Sequence, residues 1–174
     1  MVNLALPLAA LAMAASVAAA PAATNGTVFS FAQWVEDIIA NPDTALTVDE
    51  AFAAAQAADV VGAAGGLQKR VRCEVPGWTR APGRDAAWCV DYLARIGQGG
   101  QQCVLDRGNI QMCRRGGAQI VASQARSERL SANCNDVART AGIIFDNCWR
   151  SDDTILGSEI CITENRMQIN INGI

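Results

Sequence analysis

The chain has no histidine, one lysine (Lys69), no C-x-x-C spacing, and no cysteine before residue 73. Without histidine, Ser-His and Cys-His nucleophile pairs, the histidine-dependent ribonuclease mechanism and histidine metal sites are all unavailable. No unperturbed group titrates near neutrality, so activity is expected to be nearly flat between about pH 5.5 and 7.5. The missing C-x-x-C, with no histidine, turns the cysteines away from zinc and towards disulfides; no metal or other cofactor is expected. The scarcity of lysine makes every cation beyond residue 70 an arginine, a planar fork suited to carboxylates, phosphates and aromatic faces. The late cysteines show that the sulfur chemistry belongs to one part of the chain.

Composition divides the chain in the same place. Alanine supplies 22 of the first 66 residues. Residues 4–20, LALPLAALAMAASVAAA, are uncharged and end in Ala18-x-Ala20 before Pro21, the pattern of a secretory signal over residues 1–20. The run is short, alanine-rich and broken by Pro7, which argues against a membrane anchor of about 20 apolar residues. Residues 21–70 contain two helix starts, Ser30 to Gln33 and Thr47 to Glu50, each spaced for a reciprocal capping box. Phe31, Trp34, Val35, Ile38 and Ile39 form one apolar stripe that stops at Asn41-Pro42. Two helices this short are marginal alone and are expected to dock on the downstream domain. LQKR then closes a glycine-softened linker. Its Lys69-Arg70 pair is of the kind that kexin-type convertases cut, so residues 21–70 read as a propeptide. The propeptide has six acids and two bases, net −4, against eleven acids and twelve arginines, net +1, in residues 71–174. It is expected to shield the domain until release. The sole N-x-S/T sequon, Asn25-Gly26-Thr27, lies within the propeptide.

Residues 71–174 carry Cys73, Cys89, Cys103, Cys113, Cys134, Cys148 and Cys161. Six paired cysteines make three bridges worth about 2–4 kcal/mol each, comparable in sum to the stability of an ordinary domain. The seventh is either a free buried thiol or a link to a second chain, giving a disulfide-linked dimer; spacing does not choose the pairing. VRCEV (71–75) reads as a strand. DAAWCVDYLARIG, from Asp85, is a helix with Trp88, Cys89, Tyr92, Leu93 and Ile96 on one face. QQCVL, NIQMCRR and GAQIVASQA are three strands separated by glycine turns, and residues 131–148 form a second helix with a cysteine near each end. EICIT and RMQINI close as strands, the last alternating Met167, Ile169 and Ile171 with Arg166, Gln168 and Asn170. This order predicts an α+β fold: a two-layer α/β sandwich, disulfide-rich, its antiparallel sheet covered by two helices and preceded by a helical propeptide.

The run from MCRRGGAQIVAS through the cysteine-bearing helix SANCNDVARTAGIIFDNC to EICITENRMQINI resembles the secreted fungal killer-toxin-like effectors, a group with virus-encoded killer toxins and necrosis-inducing extracellular effectors. The shared features are C-x-G-G/N-x-x-I, a cysteine helix ending in Cys148, a glycine-containing loop and a closing alternating strand. The resemblance implies secretion, dibasic processing and virulence through a host or competitor cell-surface protein or membrane component, without catalysis. The odd cysteine count departs from a fully paired toxin.

Binding candidates follow from the residue types. Arg114, Arg115, Arg126 and Arg129 form the densest basic cluster, suited to an acidic membrane protein or lipid headgroups. Trp78 and Trp149 fall in predicted loops as candidate surface anchors, while Trp88 is assigned to the core. Net +1 lacks the basic footprint of a nucleic-acid binder. Two alternatives stand beside the effector reading. One is a protease inhibitor presenting Arg80 or Arg107 on a stiff loop. The other is a carboxylate-only hydrolase using Asp152, Asp153, Glu159 or Glu164.

Overall fold

The structure is a computed structural model and describes residues 29–58 and 71–174. The predicted signal segment, the Asn25 sequon and the Lys69-Arg70 pair lie outside the described residues. Helix α1, Phe31–Ala40, follows the predicted stripe: Phe31, Trp34, Val35 and Ile38 are buried. Ser30 caps it by accepting from Gln33 N at 3.2 Å, but the Gln33 side chain turns to Asp37, so that capping box is only half made. Helix α2, Val48–Ala57, has the complete reciprocal box between Thr47 and Glu50.

Strand β1 (Ala81–Pro82) leads into α3 (Gly83–Gln98), then β2 (Gln102–Leu105), β3 (Asn109–Arg115), β4 (Ala118–Ser123), β5 (Leu130–Asn133), α4 (Cys134–Cys148), β6 (Thr154–Ile155), β7 (Gly157–Ile160) and β8 (Gln168–Gly173). The main sheet runs β3-β4-β8-β7, antiparallel throughout, and two small ribbons pair β1 with β6 and β2 with β5. The predicted fold class is what forms: an antiparallel sheet whose apolar face, with Ile120, Ala122, Ile169 and Ile171, packs under α3 and α4. Three disulfides fasten it. Cys73–Cys148 ties the segment entering the domain to the end of α4, Cys89–Cys113 ties α3 to β3, and Cys103–Cys134 ties β2 to the start of α4.

Two local expectations change. VRCEV forms a single bridge on the edge of β7 away from β8, where Arg72 and Ser158 exchange backbone bonds of 2.9 and 2.8 Å, and just beyond it the segment is held by the Cys73–Cys148 disulfide instead of by further pairing. The second helix begins at Cys134 rather than Ser131, since residues 130–133 pair with β2 and Asn133 becomes the cap, its Oδ1 accepting from Asn135 N at 2.8 Å.

The predicted docking of the N-terminal helices is also present, and it is deep. Helix α1 lies on α3 and α4, which stand between it and the sheet. Phe31 is fully buried among Phe52, Phe145 and Trp149, with ring centroids 4.7–5.6 Å away. The domain is cut to receive it. Gly142 of α4 lies so close that a Cβ there would come within 2.9 Å of Ala32 Cα. Asp146 accepts from Ser30 Oγ (2.7 Å), Phe31 N (2.6 Å) and Ala32 N (3.1 Å), capping a helix 115 residues away in sequence. Gln98 Nε2 donates to Ile38 O at 2.5 Å, and Arg139 grips Glu36. Arg84 pairs with Asp49 while lying 4.9 Å over the Phe52 ring.

Candidate functional site

Alternation along the strands fixes what the other face of the sheet shows. With Ile120 and Ala122 facing the helices, Gln119, Val121 and Ser123 of β4 face outwards. The register carries this across the strands as three rows: Arg114–Gln119–Asn172, Gln111–Val121–Asn170–Ser158, and Asn109–Ser123–Gln168–Ile160. Eight of these eleven side chains are amides or hydroxyls, and Arg114 is the only charged one. Several are bonded to each other. Gln111 Nε2 donates to Gln119 Oε1 at 2.6 Å, Asn170 Nδ2 to Ser123 Oγ at 2.8 Å, and Gln168 Nε2 to Ser158 Oγ at 3.0 Å.

Two depressions mark this side. One, of about 390 Å³, is lined by Trp78, Asn109, Gln111, Gln119, Val121 and Asn172. The other, about 720 Å³ at the edge of the sheet, includes Arg126, Glu128, Arg166, Gln124 and Gln168. Its cations are partly neutralised, since Arg166 bonds both Glu128 and Glu164. The Glu164 carboxyl is accordingly held below its ordinary pKa by the side-chain hydrogen bond from Arg166.

Trp78 is placed by a tight turn. Pro76 and Gly77 fill the two central positions, Gly77 has φ +82°, and Trp78 N donates to Val75 O at 3.2 Å, a type II arrangement that needs glycine at its second centre. The next residue is pinned by Gly173 N, which donates to Thr79 O at 2.8 Å. Trp78 remains 36% exposed, as its loop position predicts.

The other candidates separate. Arg114 and Arg115 stand at one end of β3, while Arg126 lines the cleft at the Asn109 end, about 20 Å away by strand rise. Arg129 pairs with Asp106. Neighbouring residues alternate across the sheet, so Arg115 turns to the helix side and lies 4.6 Å over the Trp88 ring. The four arginines are therefore not one patch. Trp149 is a correction: it is 3% exposed, because α1 and α2 bring Phe31 and Phe52 against it. Trp88 is only half-buried and stacks on exposed Tyr92 with ring centroids 5.6 Å apart.

Arg80 is not offered to a protease: its guanidinium donates to Thr154 Oγ1 (2.7 Å), Cys148 O (2.9 Å) and Glu74 (3.0 Å). Arg107 stays exposed in the turn between β2 and β3. Asp152 is held below its ordinary pKa by the Thr154 side-chain and backbone hydrogen bonds, the usual state of a turn carboxylate. Glu159 is buried and accepts from Ile160 N at 2.6 Å. A general acid needs a raised pKa, and neither Asp152 nor Glu164 has one. Cys161 is the unpaired cysteine and is buried.

The expected shielding by the N-terminal segment takes a different form. Glu36 and Asp49 pair with Arg139 and Arg84, on the helix side. Among the described residues, none of the four candidate arginines pairs with an acid of that segment.

Comparison with known proteins gives one family. The chain belongs to a family defined by a domain of unknown function (DUF8794), whose model matches residues 68–173. The match takes in all three disulfides and the whole sheet and begins downstream of α1 and α2. No curated protein and no solved structure matches the chain.

Proposed function

We propose that this family member is a secreted, killer-toxin-like effector that acts by binding a component of a host or competitor cell surface and does no chemistry on it. The observation that carries the reading is the polar outer face of the sheet, covered by no helix among the described residues, with Trp78 held at its side by a turn and the domain stapled by three disulfides. Stiffness favours contact binding, since a preorganised surface loses little conformational freedom when it meets its target. Three disulfides suit an oxidising compartment, and among the described residues no helix is long and apolar enough to cross a membrane. The apolar signal run and the Lys69-Arg70 pair supply the secretory route.

The test is exposure of fungal and plant cells to the purified product, with trypsin and papain inhibition and hydrolysis of polysaccharide and RNA measured in parallel. Growth arrest or necrosis without inhibition or hydrolysis is expected. Tight inhibition of a protease, lost in Arg107→Ala, would replace this reading with the inhibitor one. Turnover of either polymer would replace it with an enzyme.

A further inference from the structure

We infer that the depression beside Trp78 is a binding site for a neutral polysaccharide. This names the chemical class of the cell-surface component, and it rests on the choice of the sheet face as the working surface.

The side chains that meet there are Trp78, Asn109, Gln111, Gln119 and Asn172, with Val121 on the floor. None is ionisable. An amide offers two donors and an acceptor in one plane, and sugar hydroxyls both donate and accept, so the two match without charge. The Gln111–Gln119 bond uses one donor and one acceptor, leaving Gln111 Oε1 and the Gln119 amide hydrogens free to pair. Asn172 is the pointed case. It is 9% exposed, its Nδ2 donates to Gly173 O at 2.8 Å, and its Oδ1 is buried with no partner among the described residues. A buried acceptor left without a donor is costly, and a ligand hydroxyl would supply one.

Trp78 provides the complementary element, a flat apolar ring with a polar edge beside a row of amides. A pyranose has an apolar C–H face and a rim of hydroxyls, the same division in the same dimensions. The turn at Pro76-Gly77 and the bond from Gly173 to Thr79 fix beforehand the backbone that carries the ring. Nucleobases also stack on tryptophan, but single-stranded nucleic acid needs a cationic track for its phosphates. Here, among the described residues, only Arg114, cross-strand to Gln119, lies alongside.

The experiment is affinity electrophoresis and intrinsic fluorescence on the purified protein, with soluble β-glucan, mannan and chitin oligosaccharides as neutral probes, and polygalacturonate and an RNA oligomer as charged ones. At least one neutral probe is expected to retard the protein and shift its emission. Trp78→Ala should weaken that binding by about tenfold or more, and Trp78→Phe should restore part of it. Gln111→Ala and Gln119→Ala should each weaken it by several-fold, and circular dichroism checks that every variant is folded. Binding of the charged probes alone, binding of no neutral probe, or neutral binding unchanged in all four variants would overturn the inference. The cell assay separates the two readings. Cell damage with no neutral-glycan binding sinks the site and spares the effector, whereas Trp78-dependent glycan binding with no damage to any cell does the reverse.

Discussion

The outer side of α3 and α4 and the outer side of the sheet meet opposite ends. The helix side receives α1 and α2, which fill it with Phe31, Trp34, Val35 and Ile38 and meet its polar groups with matched partners at Asp146, Gln98 and Arg139. The sheet side is covered by no helix among the described residues and shows amides and hydroxyls in register; a buried polar atom without a partner among the described residues occurs on each side, Asn172 Oδ1 here and Trp149 Nε1 beside Phe31. A closed surface is built for stability and an open polar one for recognition. The contrast teaches that residues 29–58 are packing material for the helix layer and lie away from the candidate binding face.

Breaking the closed side should do the most damage. Phe31→Ala removes the ring at the centre of the aromatic cluster and should cost about 3–5 kcal/mol in denaturant unfolding. Among the staples, Cys73–Cys148 spans 75 residues and Cys89–Cys113 spans 24. Replacing the first pair with alanine should therefore cost about 1 kcal/mol more than replacing the second, on the loop-entropy account, and a reversed order would show that strain or residual structure dominates. Gly142→Ala sets helix propensity, worth up to about 1 kcal/mol in favour, against a contact 2.9 Å from the α1 backbone. Overpacking should win, with a net loss of about 1–2 kcal/mol, and a stabilised variant would mean that α1 is held loosely.

A smaller effect is expected from pH. Burial raises the Asp146 carboxyl above its ordinary pKa, against the lowering influence of the bonds from Ser30, Ala32 and Phe31. A raised folded-state value means that the proton-linked contribution is present below the ordinary carboxylate range and is lost as pH rises through the raised value. The Asp146 share of stability should therefore fall slightly from about pH 4 towards neutrality, against the opposite trend from the lowered carboxyls of Glu50, Asp152 and Glu164, so the difference in unfolding midpoint between the protein and Asp146→Asn should shrink or reverse as pH rises. Smallest of all, Trp78→Ala on the open side should change stability by under about 0.5 kcal/mol, because no core contact depends on it. A large loss there would erase the distinction between the two sides.

Much of this was legible in the residues, for reasons that can be named. The stripe at Phe31, Trp34, Val35 and Ile38 declares both a helix and its buried face, because a 3.6-residue period has no other use for that spacing. The alternation Met167, Ile169, Ile171 likewise identified β8, although Asn170 and Asn172 on its wet side are nearly buried by neighbouring strands and the Trp78 segment. What failed depended on contacts distant in sequence. Trp149 reads as a loop residue until α1 covers it. Asp146 reads as an ordinary helix carboxylate, since nothing local says that it caps another helix 115 residues away. The Arg114, Arg115, Arg126 and Arg129 cluster was a cluster in sequence only, because a strand carries its two ends apart and alternation sends neighbouring side chains to opposite faces. The amide rows are not legible in the sequence because they are assembled from four strands, and only the register brings Gln111, Gln119 and Asn172 together.

The central claim is that the helix side is closed by the chain's own N-terminal segment and that the segment stays there. Cutting the purified full chain after Arg70 and passing it through a non-denaturing size-exclusion column, with mass analysis of each peak, tests this most directly. The segment carrying residues 29–58 should elute with residues 71–174 and part from them only in denaturant. If the two pieces separate in plain buffer and the disulfide domain alone keeps its unfolding midpoint, the helix side is not closed by this segment and the comparison between the two faces is wrong.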